Sequence, residues 1–190
     1  MGRIVVSENM SLDGVVQDPT GDEGFRHGGW VGLLKDRPQL NDLALDEALK
    51  AEAFLVGRRS YEWLASRWQS RTGELADRLN SLPKYVVSST LEHPTWNNST
   101  VLNGDVLGEV RKLKQEINGE IIVPASFQLV HELMENDLVD ELRLKIFPVV
   151  LGDGGRLFGE TSHQKPMRLV DTQTVEGGVA FLTYRVKQDA

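Results

Sequence analysis

Short apolar runs alternate with helical spacing through the first two thirds of this chain, and that alternation constrains the fold more than any other feature. Arg3–Glu8 (RIVVSE), Ala53–Val56 (AFLV), Tyr85–Ser88 (YVVS) and Glu120–Val123 (EIIV) are short, rich in β-branched residues and bounded by turn formers. Such runs read as buried strands. A further short strand is expected at Thr100–Leu102. Between them, Asn41–Lys50 places Leu43, Leu45, Ala48 and Leu49 on one helical face. Ser60–Arg67 is helical in composition, and Thr72–Leu82 continues on Leu75, Leu79 and Leu82 until Pro83 stops it. Asp105 has the short acceptor of an N-cap for a helix over Val106–Ile117, which Gly119 ends. Phe127–Asn136 turns Leu129, Val130, Leu133 and Met134 inward. The pattern then changes to strands at Leu142–Val150, Met167–Val175 and Gly178–Val186, the last two joined by Glu176-Gly177-Gly178 as in a hairpin. The expectation is an α/β fold: a mixed sheet, mostly parallel, with an antiparallel C-terminal portion and helices on both faces.

With 190 residues, 40% of them hydrophobic, the chain can bury one substantial core, and no repeat or linker interrupts it. One domain over 1–190 is expected. The formal charge of −7 argues against a surface built to neutralise phosphates of nucleic acid. There is no cysteine, hence no disulfide, thiolate metal site or cysteine nucleophile. His27, His93, His131 and His163 are far apart, and His131-Glu132 lacks the second histidine of HExxH, so no metal site is expected. GxxxxGK[ST] and GxSxG are absent, and Leu151–Phe158 (LGDGGRLF) lacks GxGxxG spacing. The start has no basic segment followed by an apolar run, and no stretch approaches the roughly 18 apolar residues of a membrane span, so a cytoplasmic protein without a membrane partner is expected.

Two strand-to-helix junctions and one strand end could hold an anion. In Val56-Gly57-Arg58-Arg59-Ser60, glycine lets a ligand near the backbone while two guanidinium groups and a hydroxyl surround it; a solvated turn explains the same residues about as well. Ser88-Ser89-Thr90 is a hydroxyl cluster at a strand end, a place where ligands of open α/β sheets collect, although ordinary loop chemistry is the commoner reason for such a cluster. In Pro124-Ala125-Ser126-Phe127, Ser126 could cap the following helix, with or without a pyrophosphate on the free amides. Gln17–Trp30 carries too many glycines and prolines for a helix and too little alternation for a strand, and long loops of this kind are usually functional or mobile. Its Asp22, Glu23 and Trp30, with Asn9 and Asp13 before it, are the candidates for the substrate side, Asp13 being the candidate catalytic carboxylate.

Taken in order, these segments resemble the dihydrofolate reductase-like superfamily from Arg3 to about Val186, and within it the riboflavin biosynthesis reductases, the RibD C-terminal domain subgroup. MSLDG at 10–14 resembles the substrate-side strand and loop, VGRRSYE the segment that holds the NADPH ribose phosphate and pyrophosphate, and YVVSST the next cofactor strand. Leu138–Phe158 is similar to the subgroup's late strand and glycine turn. The resemblance implies that Arg58 pairs with the 2'-phosphate, that Arg59 and Ser60 lie at the pyrophosphate, and that Ser88 and Ser89 border the adenosine half. It further implies hydride transfer from NADPH to a small heterocyclic substrate, with 5-amino-6-(5-phosphoribosylamino)uracil as the leading named case, and a homodimer, for which the strand-rich C-terminal half with Leu142–Val150 offers an apolar sheet surface. Reduction of dihydrofolate or another pterin, or a binding module that keeps the fold without hydride transfer, are the alternatives. Two departures stand out. Ala125-Ser126 replaces a Gly-Gly pair, and no carboxylate on the first helix matches the folate-binding one.

Overall fold

The computed structural model describes residues 1–186. Eight strands form one sheet, β1 (Arg3–Ser11), β2 (Ala51–Gly57), β3 (Lys84–Val87), β4 (Ser99–Leu102), β5 (Glu120–Pro124), β6 (Glu141–Phe147), β7 (Met167–Val175) and β8 (Val179–Val186), in the order β4-β3-β2-β5-β1-β6-β8-β7. Neighbours from β4 to β6 run parallel, whereas β8 pairs antiparallel with β6 and β7. The expected mixed sheet, its antiparallel end included, is therefore what the chain forms. The central strands are covered on both faces, which is why they read as continuous apolar runs: Ile4, Val5 and Val6 of β1, Leu55 of β2 and Ile121 and Val123 of β5 are all essentially sealed from water.

Five α-helices supply the cover: α1 (Pro38–Lys50), α2 (Arg58–Trp68), α3 (Glu74–Ser81), α4 (Val106–Glu116) and α5 (Phe127–Glu135). Val110 and Leu113 of α4 and Leu129, Val130 and Leu133 of α5 pack with Ile4, Val6, Leu55 and Val123 on one face. Ala48 of α1, Tyr61 and Leu64 of α2 and Leu79 of α3 pack with Val5, Phe54, Val56 and Ile122 on the other. Alternate residues of one strand thus serve opposite layers, as a side-chain period of two requires.

Several local readings change. The helix expected from Asn41 begins at Pro38, whose fixed φ and missing N–H suit a first turn. Ser60–Arg67 and Thr72–Leu82 are two helices, because Gly73 between them takes φ 110°, which an L side chain would strain. Asp105 does cap α4, accepting from the Gly108 N–H at 3.0 Å. Ser126 does not cap α5 with its side chain. The strand expected over Leu142–Val150 ends at Phe147 and lies inside the sheet, between β1 and β8. Its Leu142 and Leu144 are core, and its other face carries Arg143, paired with Glu120 and Glu141 at 2.7 Å each, and Lys145, paired with Glu47 at 2.7 Å. It is not an apolar surface. Among the described residues no helix is long and apolar enough to cross a membrane.

Candidate functional site

The chain order and the sheet order together place a crevice beside β5. The helix after β2, α2, lies on one face of the sheet and the helix after β5, α5, on the other, although β2 and β5 are neighbours. Where connections leave adjacent parallel strands to opposite sides, a gap opens outside their carboxyl ends, and ligands of open α/β sheets bind there.

At that position is a cleft of about 780 Å³. Its wall is assembled from the ends of β2, β3, β4 and β5 and the first turns of the helices that follow, with Glu23 of the 17–30 loop at its edge. Gly57, Arg58, Arg59, Ser60, Ser88, Ser89, Ala125, Ser126 and Phe127, drawn from three strand ends that span 70 positions of sequence, all line it. Arg58 donates to Glu62 at 2.8 Å and to Thr90 Oγ1 at 2.6 Å, so its guanidinium is already fixed across the mouth toward the hydroxyl cluster. Arg59 meets Glu23 at 3.4 Å. Ser88 Oγ accepts the N–H groups of Thr90 and Leu91, which folds the cluster into a tight turn and leaves Ser89 and Thr90 exposed.

Ser60 Oγ donates to the Ala125 carbonyl, tying α2 to the end of β5. Ala125 itself sits at φ 52°, the left-handed region that glycine enters freely and alanine only at a cost of about 1–2 kcal/mol. The turn that a Gly-Gly pair would make is therefore made here by alanine under strain. Ser126 is buried and holds the turn from below, its hydroxyl accepting the Gly57 N–H at 3.1 Å and donating to the Pro124 carbonyl at 3.0 Å. Phe127 packs edge-on against His131, with Gly155 at its ring tip.

Of the five residues expected on the substrate side, Glu23 lines this cleft and Asn9, Asp13, Asp22 and Trp30 do not. Asn9 is half-buried on β1 opposite Lys145 of β6. Asp13 accepts the Ser11 hydroxyl at 2.7 Å and the N–H groups of Leu151 and Gly152, and these bonds hold its carboxyl down at about 2. It pins the glycine loop 151–155 to the end of β1, and a carboxyl so ionised has no proton to give near neutrality. Asp22 meets Thr20, Trp63 and Arg67, which hold its carboxyl below the usual range and fasten the 17–30 loop to α2. Trp30 is buried, its indole N–H on the Gln17 carbonyl at 3.0 Å and its ring edge-on to Phe147 at 5.4 Å. It anchors the loop in the core.

Two parts of the site have no counterpart among the sequence candidates. Asn103–Leu107, at the end of β4, closes the far side of the cleft; it is a third strand-to-helix junction, after those at Gly57–Ser60 and Pro124–Phe127, and could have been found by the rule that found those two. The second is Glu8, buried beneath the cleft wall. Burial pushes its carboxyl up to about 8, against the opposing charge of Lys145 and the amides of Ser126 and Ala125. Its signal was a glutamate between Val6 and Met10 on the apolar face of a strand. Among the described residues, no cluster of acidic, histidine or cysteine side chains could hold a metal ion.

The fold agrees with what the chain is similar to. It is 28% identical over 188 residues, 96% of its length and 94% of the other's, to the uncharacterised protein YyaP of Bacillus subtilis (strain 168). In structure it matches a Shewanella sp. PV-4 protein named for riboflavin biosynthesis, with a TM-score of 0.77 at 20% identity, covering 98% of this chain and 99% of that one. It also matches dihydrofolate reductase from Enterococcus faecalis complexed with NADP(H), with a TM-score of 0.63 at 15% identity, covering 98% and 97%. At these identities the structural matches establish the dihydrofolate reductase-like fold. The model of the RibD C-terminal domain matches residues 3–181, and the chain belongs to that family.

Proposed function

We propose that this protein is an NADPH-dependent reductase that delivers hydride to an electron-poor C=N or sugar-derived C=O carbon of a small heterocyclic substrate, with 5-amino-6-(5-phosphoribosylamino)uracil as the leading candidate. Membership of the RibD C-terminal domain family and the reductase fold support a reductase-type activity. The observation that carries the cofactor assignment is the convergence of the three strand ends on one cleft at the switch point of the sheet.

The residues present fit a dinucleotide. A Cβ on Gly57 would meet only Ser126 Oγ, at 3.9 Å, so the protein's own packing does not demand glycine there; the missing side chain keeps the cleft open beside the first amides of α2. Arg58, Ser89 and Thr90 would take the 2'-phosphate, and Arg59, Ser60 and the Ala125-Ser126-Phe127 turn the pyrophosphate. When bound, NADPH supplies the hydride; the chain orients it and excludes water. Because Arg59 now meets Glu23, an anionic ligand competes with that loop carboxylate for the guanidinium. Dihydrofolate is disfavoured as substrate by α1, where Glu47 is engaged by Ser7 and Lys145 and so is not a free folate-binding carboxylate.

The reading extends to one domain over 1–190, a cytoplasmic location and a homodimer. With β6 internal, the dimer contact falls to the free edge strand β7, where Leu169 is exposed. A monomer mass in light scattering across micromolar concentrations removes that contact. Parallel calorimetric titration with NADPH and NADH tests the central reading. Saturable binding that prefers NADPH supports it, and binding of neither overturns it.

A further inference from the structure

A buried acid sits on the wrong side of the Ala125–Ser126 turn for a protein that only needs to be stable. Glu8 is on β1, in the residue set that faces α5, and only 5% of it is exposed. Its Oε1 is sealed from water without a hydrogen-bond partner. The backbone amides of Ser126 and Ala125, at the N-terminus of the nine-residue α5, act on its carboxyl from above. The opposite side of that turn is cleft wall, with Ala125 exposed to it.

We propose that Glu8 is the proton-linked back wall of a phosphate subsite: a diphosphate seated in the cleft on the Ala125–Ser126 turn and the Glu8 carboxylate beneath it compete for the same helix terminus, so the ligand binds the form in which Glu8 is neutral. This rests on the reading of the cleft as a dinucleotide site. Helix N-termini favour negative charge through a few free N–H groups whose effect falls off within one turn, and two anions on opposite sides of one turn repel through a poorly solvated wall. The balance is simple. If Glu8 is ionised before binding, one proton passes from solvent to its carboxylate as the diphosphate enters, and it returns to solvent on release.

The surroundings leave Glu8 as the group that responds. From β6, Lys145 is the charged side chain acting on it, and Lys145 is itself held by Glu47 and Ser7. From β5 and α5 the facing groups are backbone amides, and His131 of α5 is turned away to the Arg156 carbonyl at 3.0 Å. The charged side chains lining the cleft are Glu23, Arg58, Arg59, Asp105 and Glu132.

The experiment is calorimetry of the whole protein with NADPH and, separately, ADP-ribose, whose diphosphate carries no ionisation in this range and which lacks the nicotinamide. Affinity for both ligands is expected to fall about tenfold from about pH 7 to pH 9, as the group with a folded value near 8 ionises. Near pH 8.5, titrations in buffers of different ionisation enthalpy should register uptake of a large fraction of one proton. Glu8→Gln should bind with little pH dependence and no proton uptake. The buffer comparison uses unaltered protein, so a variant that fails to fold does not remove the test. Binding without pH dependence or proton uptake overturns the proposal, as does a Glu8→Gln protein that keeps the slope. If NADPH does not bind while ADP-ribose binds with proton uptake, the reductase reading falls and the Glu8 subsite stands. If neither binds, both fall.

Discussion

Ser126 Oγ accepts the Gly57 N–H at 3.1 Å across 69 positions of sequence and, with the Ser60–Ala125 hydrogen bond and the β2–β5 ladder, holds together two strand ends that flank the cleft. The same hydroxyl donates to the Pro124 carbonyl, so removing it leaves the partly buried Gly57 amide without this acceptor. An unmet buried donor costs about 1–3 kcal/mol. Ser126→Ala is therefore expected to lower the thermal midpoint by about 2–12 °C, at about 2–4 °C per kcal/mol for a chain of this size, and to weaken NADPH binding. An unchanged midpoint would show that the bond contributes nothing.

Ala125 at φ 52° makes the opposite prediction about glycine. Elsewhere Ala→Gly is destabilising; Ala65→Gly, in the buried face of α2, should cost about 1 kcal/mol in helix propensity before lost packing is added. At Ala125 the relief of left-handed strain, about 1–2 kcal/mol, offsets the added flexibility of the unfolded chain, about 0.4–1 kcal/mol. Ala125→Gly should be neutral to stabilising in chemical denaturation, while Ala65→Gly loses stability. Equal losses in the two variants would mean that the turn is not strained.

Arg58 is half-exposed yet bonded to both Glu62 and Thr90. If it reads the 2'-phosphate, Arg58→Ala should weaken NADPH by about 1.5–3 kcal/mol, the range for a hydrogen bond to a charged group, and leave NADH nearly unchanged. Titration of both cofactors decides; the same loss for each excludes a 2'-phosphate role.

Asp13 carries an acid-dependent share of the stability. Its folded value, about 2, lies below the unfolded value of about 3.9, so its contribution is complete above about pH 4 and is lost as pH falls toward 2. Asp13→Asn should be less stable than the unaltered protein at pH 6, and the gap should close by about pH 2. A gap that persists unchanged to the lowest pH at which the protein stays folded would assign the stabilisation to something other than the carboxylate's charge.

Asp22 fastens the 17–30 loop through Trp63 and Arg67 at an exposed site. Exposed ion pairs contribute little because solvent screens them, so Asp22→Ala should barely move the thermal midpoint. It should nonetheless speed limited proteolysis within 17–30 several-fold, because cleavage follows local opening rather than global unfolding. Unchanged cleavage would place the loop's anchor elsewhere, at Asp18 or Trp30, which also hold it.

The alternation of apolar runs and helical segments was sufficient to read the mixed sheet, its antiparallel end and its helices on both faces, because a side-chain period of two or of 3.6 is a local property that a chain displays along its length. The three strand ends were legible for the same reason: glycine, arginine and hydroxyl residues at a strand end have a local chemistry. What the sequence alone could not show is that these strand ends share one cleft, since that depends on strand order, and β5 enters between β1 and β2 only in the folded sheet. Nor could it separate Trp30, Asp13 and Asp22 as anchors of loops from Glu8 as the acid under the wall. Identical residue types become fixed or poised according to what burial and neighbouring amides do to them, and those neighbours come from distant parts of the chain.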